Sequence, residues 1–158
     1  MANRILLPLY EKLYNKKFDY SNFDQRMEMQ KAIYLLQDMG VPVGDYGFRW
    51  YIHGPYSQEL HDDMHFENGR SFTAIVLAEE YTKCIEKLYE VIISSERGIY
   101  SISHWVECLA SLHYLKSNIL SFDATNERAV EELEKRKTHL NERSINLKAC
   151  KLVEELFA

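Results

Sequence analysis

Residues 104–116 constrain the fold of this chain more than any other stretch. Trp105, Val106, Cys108, Leu109, Ala110, Leu112 and Leu115 wrap well beyond one helical stripe, and a helix apolar on most of its sides lies inside a fold rather than on it. Something must cover it. The rest of the chain supplies amphipathic helices for that purpose. Leu6, Leu9, Tyr10, Leu13 and Tyr14 form one apolar stripe, and Ala32, Ile33, Leu35, Leu36 and Met39 form a second. Tyr81, Ile85, Leu88 and Ile92 recur at spacings of four, three and four, opposite Glu79, Glu80, Lys83, Glu86 and Lys87. Ala129, Val130 and Leu133, then Ile145, Ala149, Val153 and Leu156, complete the set.

Punctuation between the stripes sets the boundaries. Asp24 is the expected N-cap of the second helix and Gly40, followed by Val41-Pro42, its stop. Ser57 is expected to cap a short helix through Gln58, Leu60 and Met64 to about Glu67, closed by Asn68-Gly69. The fourth helix is expected from about Thr73 to Ser95, and Ser103 is the expected cap of the central one. Asp123-Ala124-Thr125-Asn126 reads as a loop and cap. Only residues 46–53, Tyr-Gly-Phe-Arg-Trp-Tyr-Ile-His, break the helical habit. Aromatic and β-branched types dominate there, so they read as a strand that Gly54-Pro55 ends. An isolated strand is not stable, which predicts a small hairpin or wing. The expectation is a mainly α, compact bundle of about six or seven helices with one short strand or hairpin region near 46–53. At 158 residues the chain reads as one helical domain, 1–158.

Charge and cysteine content narrow the function classes. The formal net charge is −5, and duplex binding normally needs a basic excess to neutralise phosphates. Nucleic acid is therefore disfavoured as a partner. No apolar run approaches the roughly 20 residues that span a bilayer, and the first eight residues lack the pattern of a secretory signal. Cys84, Cys108 and Cys150 are widely spaced inside helical patterns. They read as free thiols of a reducing, cytoplasmic compartment, packed as small hydrophobes.

No catalytic residue, metal site or cofactor is assigned from the residues. His61 and His65 share a helical face at i, i+4, the spacing of a metal pair, but the motif lacks the Glu of zinc proteases and reads better as a surface coincidence. Arg97 and His104, six residues apart at the head of the central helix, resemble the signature of HEPN-type ribonucleases. There the His would act as acid or base and the Arg would stabilise phosphate charge. Gly98 splits that pattern, so a loop arginine and a capping-turn histidine is the plainer reading. Lys135-Arg136-Lys137 lies among Glu131, Glu132, Glu134 and Glu142 and reads as a solvated helix end. In strand alternation Arg49, Tyr51 and His53 face one way and Phe48, Trp50 and Ile52 the other. The aromatics of that stretch either close the core or anchor an interface.

Two segments carry a family resemblance. Residues 26–36, Arg-Met-Glu-Met-Gln-Lys-Ala-Ile-Tyr-Leu-Leu, contain a "QK-IYL" element, and residues 48–60 contain His53-Gly54-Pro55-Tyr56-Ser57-Gln58-Glu59-Leu60 about 20 residues later. In that order and spacing they resemble the YwgA-like prokaryotic proteins, related to the SocA-like or Panacea antitoxin domain. Residues 109–115 and Arg136-Lys137 extend the resemblance. It implies a helical domain that neutralises a toxin by direct contact, or an adaptor that delivers one to a protease, and it implies no enzyme.

The resulting expectation is a non-enzymatic protein-interaction module of a prokaryotic or phage toxin–antitoxin or defence system. It would meet a protein partner through an exposed aromatic and acidic surface, with Arg49, Tyr51, His53, Tyr56 and Ser57 as the contact residues. Two alternatives stand beside it. One is a winged-helix DNA-binding regulator, disfavoured because the helix after the strand carries Glu59, Asp62, Asp63 and Glu67 and no Lys or Arg. The other is the helical ribonuclease built on Arg97 and His104.

Overall fold

The computed structural model describes residues 3–72, 76–121 and 123–158. Among these, seven α-helices and one two-stranded antiparallel hairpin follow in the order α1 (Leu6–Tyr14), α2 (Phe23–Asp38), β1 (Arg49–Tyr51), β2 (Gly54–Tyr56), α3 (Gln58–Glu67), α4 (Glu79–Ser94), α5 (Ile102–Tyr114), α6 (Asn126–Arg136) and α7 (Arg143–Leu156). A π-helical turn, Leu115–Ile119, continues α5. The mainly helical bundle with one hairpin is the architecture the sequence predicts. No described helix is long and apolar enough to cross a membrane.

The apolar stripes become the core. Leu6, Leu9, Tyr10, Leu13, Ile85, Leu88, Ile92, Ala129, Val130, Leu133, Ile145 and Ala149 are all buried in one cluster with α5. Helix α5 is central, as expected, with Trp105 fully enclosed and its indole N–H donating to the Val91 carbonyl of α4 (3.0 Å). It shares the centre with α2, where residues 28–36 are buried without a break. That run includes Glu28, Gln30 and Lys31, polar groups that need partners once they leave water. Glu28 finds them in the Tyr10 hydroxyl (2.6 Å) and the Ser103 hydroxyl (2.7 Å), which ties α1 and α5 to α2.

Several boundaries differ from the expected ones. Asn22, not Asp24, caps α2 by accepting from the Gln25 N–H. Ser101, not Ser103, caps α5 by accepting from the His104 N–H, because the Ser103 hydroxyl is committed to Glu28. Helix α4 starts at Glu79 rather than near Thr73. Residues 73–75 of that expectation lie outside the described residues, and 76–78 are extended or irregular, with Val76 exposed. Two acids, Glu79 and Glu80, open α4 where the helix dipole favours negative charge.

The hairpin is shifted toward the C-terminus of the expected strand. Gly54-Pro55 does not end the strand; it begins the partner, with Arg49 opposite Tyr56, Trp50 opposite Pro55 and Tyr51 opposite Gly54. A two-stranded ribbon is all edge, so the missing Pro55 N–H breaks no ladder. Gly54 is required at this corner. Its φ is +87°, and a Cβ there would lie 2.5 Å from the Ser111 Oγ of α5.

Candidate functional site

Three buried polar side chains hold the hairpin from below. The Gln30 amide grips the backbone of Ser57, accepting from its N–H (2.9 Å) and donating to its carbonyl (2.8 Å). The next residue, Lys31, donates from Nζ to the Pro55 carbonyl (2.8 Å). From the other side Lys137, just after α6, donates to the Ile52 carbonyl at the tip of the turn. The "QK" element of α2 and the Gly-Pro-Tyr-Ser element are thus one physical unit, the first clamping the second.

The lysines are unusual in their burial. Lys31 is 1% exposed and Lys137 2%, although lysine is almost never fully buried unless paired. Lys137 pairs with Glu107 (Nζ to Oε2, 3.3 Å), which sits beneath the surface of α5 and also meets His139 (Nε2 to Oε1, 2.9 Å). Burial pulls the Lys31 ammonium from its ordinary 10.5 down to about 7, opposed by the Glu107 charge and helped by Lys137. Burial also lowers Lys137, with Glu107 acting against it. The solvated helix end expected at Lys135-Arg136-Lys137 is therefore corrected at Lys137, which turns inward to Glu107 and the hairpin.

Beside this network lies a cavity of about 240 Å³, lined among others by Phe23, Lys31, His53, His104, Glu107 and His139. His53 stacks edge-on against Phe23 (centroids 5.1 Å), and burial lowers its pKa. The His104 and His139 rings lie 5.2 Å apart. Arg97 is not brought to this cavity. Its guanidinium donates to the Tyr100 carbonyl in a local turn (3.1 Å), so the two residues expected for a ribonuclease do not converge on one cavity.

The five expected contact residues divide. Arg49 and Tyr51 are exposed, and Tyr56 is half-buried with its ring 5.4 Å from that of Tyr51. These three form the outer face of the hairpin. Trp50, on the inner face, packs on Tyr114 (5.7 Å) beneath the Arg136 guanidinium and the Lys137 ammonium. Ser57 is corrected: it is 1% exposed, its hydroxyl caps α3 and its backbone is held by Gln30. His53 is half-buried and lines the cavity instead of joining the outer face. Ile52, assigned to the inner face by alternation, is 83% exposed. Both reversals have one cause: the strand stops at Tyr51, and a turn does not obey the period of two.

The charge of the outer face is also different from the expected acidic one. Arg49 is the hairpin's own charge, and Asp62 of α3 lies close enough to Tyr56 to raise its phenol pKa, after the larger effects of burial and Tyr20. Glu59, Asp62 and Asp63 otherwise line a different cleft with Asn3, Asp45 and Tyr46. His61 and His65, the i, i+4 pair, both pack on Tyr20, with His61 Nε2 2.9 Å from its hydroxyl. The three cysteines are free, with Cys108 and Cys150 buried and Cys84 half-buried.

Lys31, Glu107 and His139 were not among the expected site residues. Lys31 had a partial signal, a charge immediately before the apolar run 32–36. Glu107 and His139 had none beyond their residue types. No protein-family model, curated protein or solved structure matches this chain.

Proposed function

We propose that this chain is a non-enzymatic protein-interaction module, antitoxin-like or adaptor-like in a prokaryotic or phage toxin–antitoxin or defence system, and that the outer face and tip of the hairpin bind its partner. One observation carries the reading. Tyr51 (51% exposed), at the end of β1, and Ile52 (83%), on the turn, stand out from the hairpin. It is held from beneath at Ile52 by Lys137 and at Pro55 by Lys31, with Gln30 holding Ser57 just beyond it. A large apolar side chain at a tip costs solvation in the free protein, and a rigid mount removes the entropy a loop would lose on binding. Tyrosine and arginine are the types that dominate binding energy at interfaces, and among the described residues no ion-pair partner stands against Arg49.

The partner that fits is a protein with an apolar cleft for Ile52 and Tyr51 and a carboxylate near Arg49. The resemblance to SocA-like domains supports a toxin or a toxin's target protease as that protein. Co-expression with the products of neighbouring genes, followed by affinity capture and native mass spectrometry, tests it. A stoichiometric protein complex that Ile52→Asp dissolves is the expected result. Recovery of nucleic acid, or of the chain alone, overturns the reading.

A further inference from the structure

We propose that His104, Glu107 and His139 form a binding site for a divalent transition metal of the zinc type. The two α5 residues stand at i, i+3 and so share one face of the helix. His139 comes from the loop between α6 and α7, where the Leu140 N–H closes a turn on the Lys137 carbonyl (2.9 Å). One ligand atom from each of the three lies within 4.8 Å of the others, and they are the cluster of this kind found among the described residues. Two ligands each about 2.1 Å from one ion are at most about 4.2 Å apart. Rotation of the two exposed imidazoles closes the remainder.

The carboxylate is already prepared for the role. Glu107 is 6% exposed, its Oε2 makes no hydrogen bond among the described residues and is only ion-paired with Lys137 (3.3 Å), and its Oε1 lies 2.9 Å from the His139 Nε2. A ligating carboxylate oriented by an outer partner is the usual arrangement of such sites, and here the Lys137 charge supplies that partner. Two imidazoles and a glutamate are also the three-ligand set of zinc centres that keep a fourth position open. All three residues also line the cavity of about 240 Å³ with Phe23, Lys31 and His53, which has room for a water at such a position. The two nearby lysine ammoniums weaken the attraction for a dication, so the site is expected to be selective for metals that favour imidazole nitrogen over carboxylate oxygen. The inference does not depend on partner binding by the hairpin.

Isothermal titration with Zn²⁺, and Co²⁺ absorption spectra of the same protein, test it. One equivalent of Zn²⁺ should bind. His104→Ala and His139→Ala should each weaken binding by about 100-fold, the upper end of what losing even an outer-shell group does. His139 is 42% exposed and His104 lies on the surface, so both variants are expected to fold, which circular dichroism checks. The Co²⁺ spectrum should be tetrahedral without a thiolate charge-transfer band, and the His61→Ala/His65→Ala variant should bind as the parent does. Absence of stoichiometric binding, binding unchanged in His139→Ala, or a thiolate band would overturn the proposal and leave the trio as an ion-pair network only.

Discussion

Replacing Lys31 by methionine should make the protein more stable at neutral pH, although it removes the hydrogen bond to Pro55. The folded state holds this ammonium in a site that lowers its pKa from 10.5 to about 7. Between those values the unfolded chain carries a proton that the folded chain sheds, so parent stability rises with pH across that window. At about 1.4 kcal/mol per pH unit, housing Lys31 costs about 4 kcal/mol at pH 7 and about 1 kcal/mol at pH 10. Methionine fills a similar volume without that penalty but orphans the Pro55 carbonyl, a loss of about 1–3 kcal/mol. The variant should therefore be about 2 kcal/mol more stable than the parent at pH 7 and equal or less stable at about pH 10. Urea unfolding of both proteins at the two pH values measures the difference directly. Groups shared by both proteins, such as Lys137, largely cancel in it. A variant destabilised by 2 kcal/mol or more to the same extent at both pH values would refute the reasoning. It would mean that Lys31 stays charged and that Glu107 and the Pro55 carbonyl more than offset its burial.

Two other substitutions test the clamp. Gly54→Ala forces a side chain into a left-handed φ and toward the Ser111 Oγ, and should lower stability by about 2–3 kcal/mol; adding Ser111→Ala should restore part of that loss in the same unfolding assay. Gln30→Ala leaves the buried Ser57 N–H without its partner, while the Ser57 carbonyl keeps the His61 N–H (3.1 Å), and should cost about 1–3 kcal/mol. Gln30→Glu keeps the acceptor but sets a carboxylate against the Ser57 carbonyl, and should be no better.

The helices were legible because each buries a stripe whose period shows in the residues, from Leu6 to Leu156. Caps were less so. Asn22 competes with Asp24 and Ser101 with Ser103, and in the second pair the choice follows from which side chain is needed elsewhere. Ser103 serves Glu28, a contact between residues 75 apart. The hairpin was half legible: the aromatic strand announced itself, but Pro55 argued for a break, and a proline is harmless there because the described residues form no strand beyond the two of this ribbon. Of the hairpin's outer face, Arg49 and Tyr51 were legible from local alternation, whereas Tyr56 joins them through its pairing with Arg49. Beneath it, Lys31, Glu107, Lys137 and His139 meet through the packing of α2, α5 and the end of α6, which no local pattern encodes. Lys31 alone stood out, as a charge at the edge of the apolar run 32–36.

The most direct test of the account is the affinity of the captured partner for Tyr51→Ala and Ile52→Asp compared with a control on the α3 acids, Asp62→Ala/Asp63→Ala. Both hairpin positions are exposed, so each variant should unfold within about 0.5 kcal/mol of the parent. The account predicts that each hairpin change weakens the complex by at least tenfold, about 1.4 kcal/mol, while the α3 control binds nearly as the parent does. Full affinity in the hairpin variants, with loss only in the α3 control, would contradict it and move the interface to the acidic cleft.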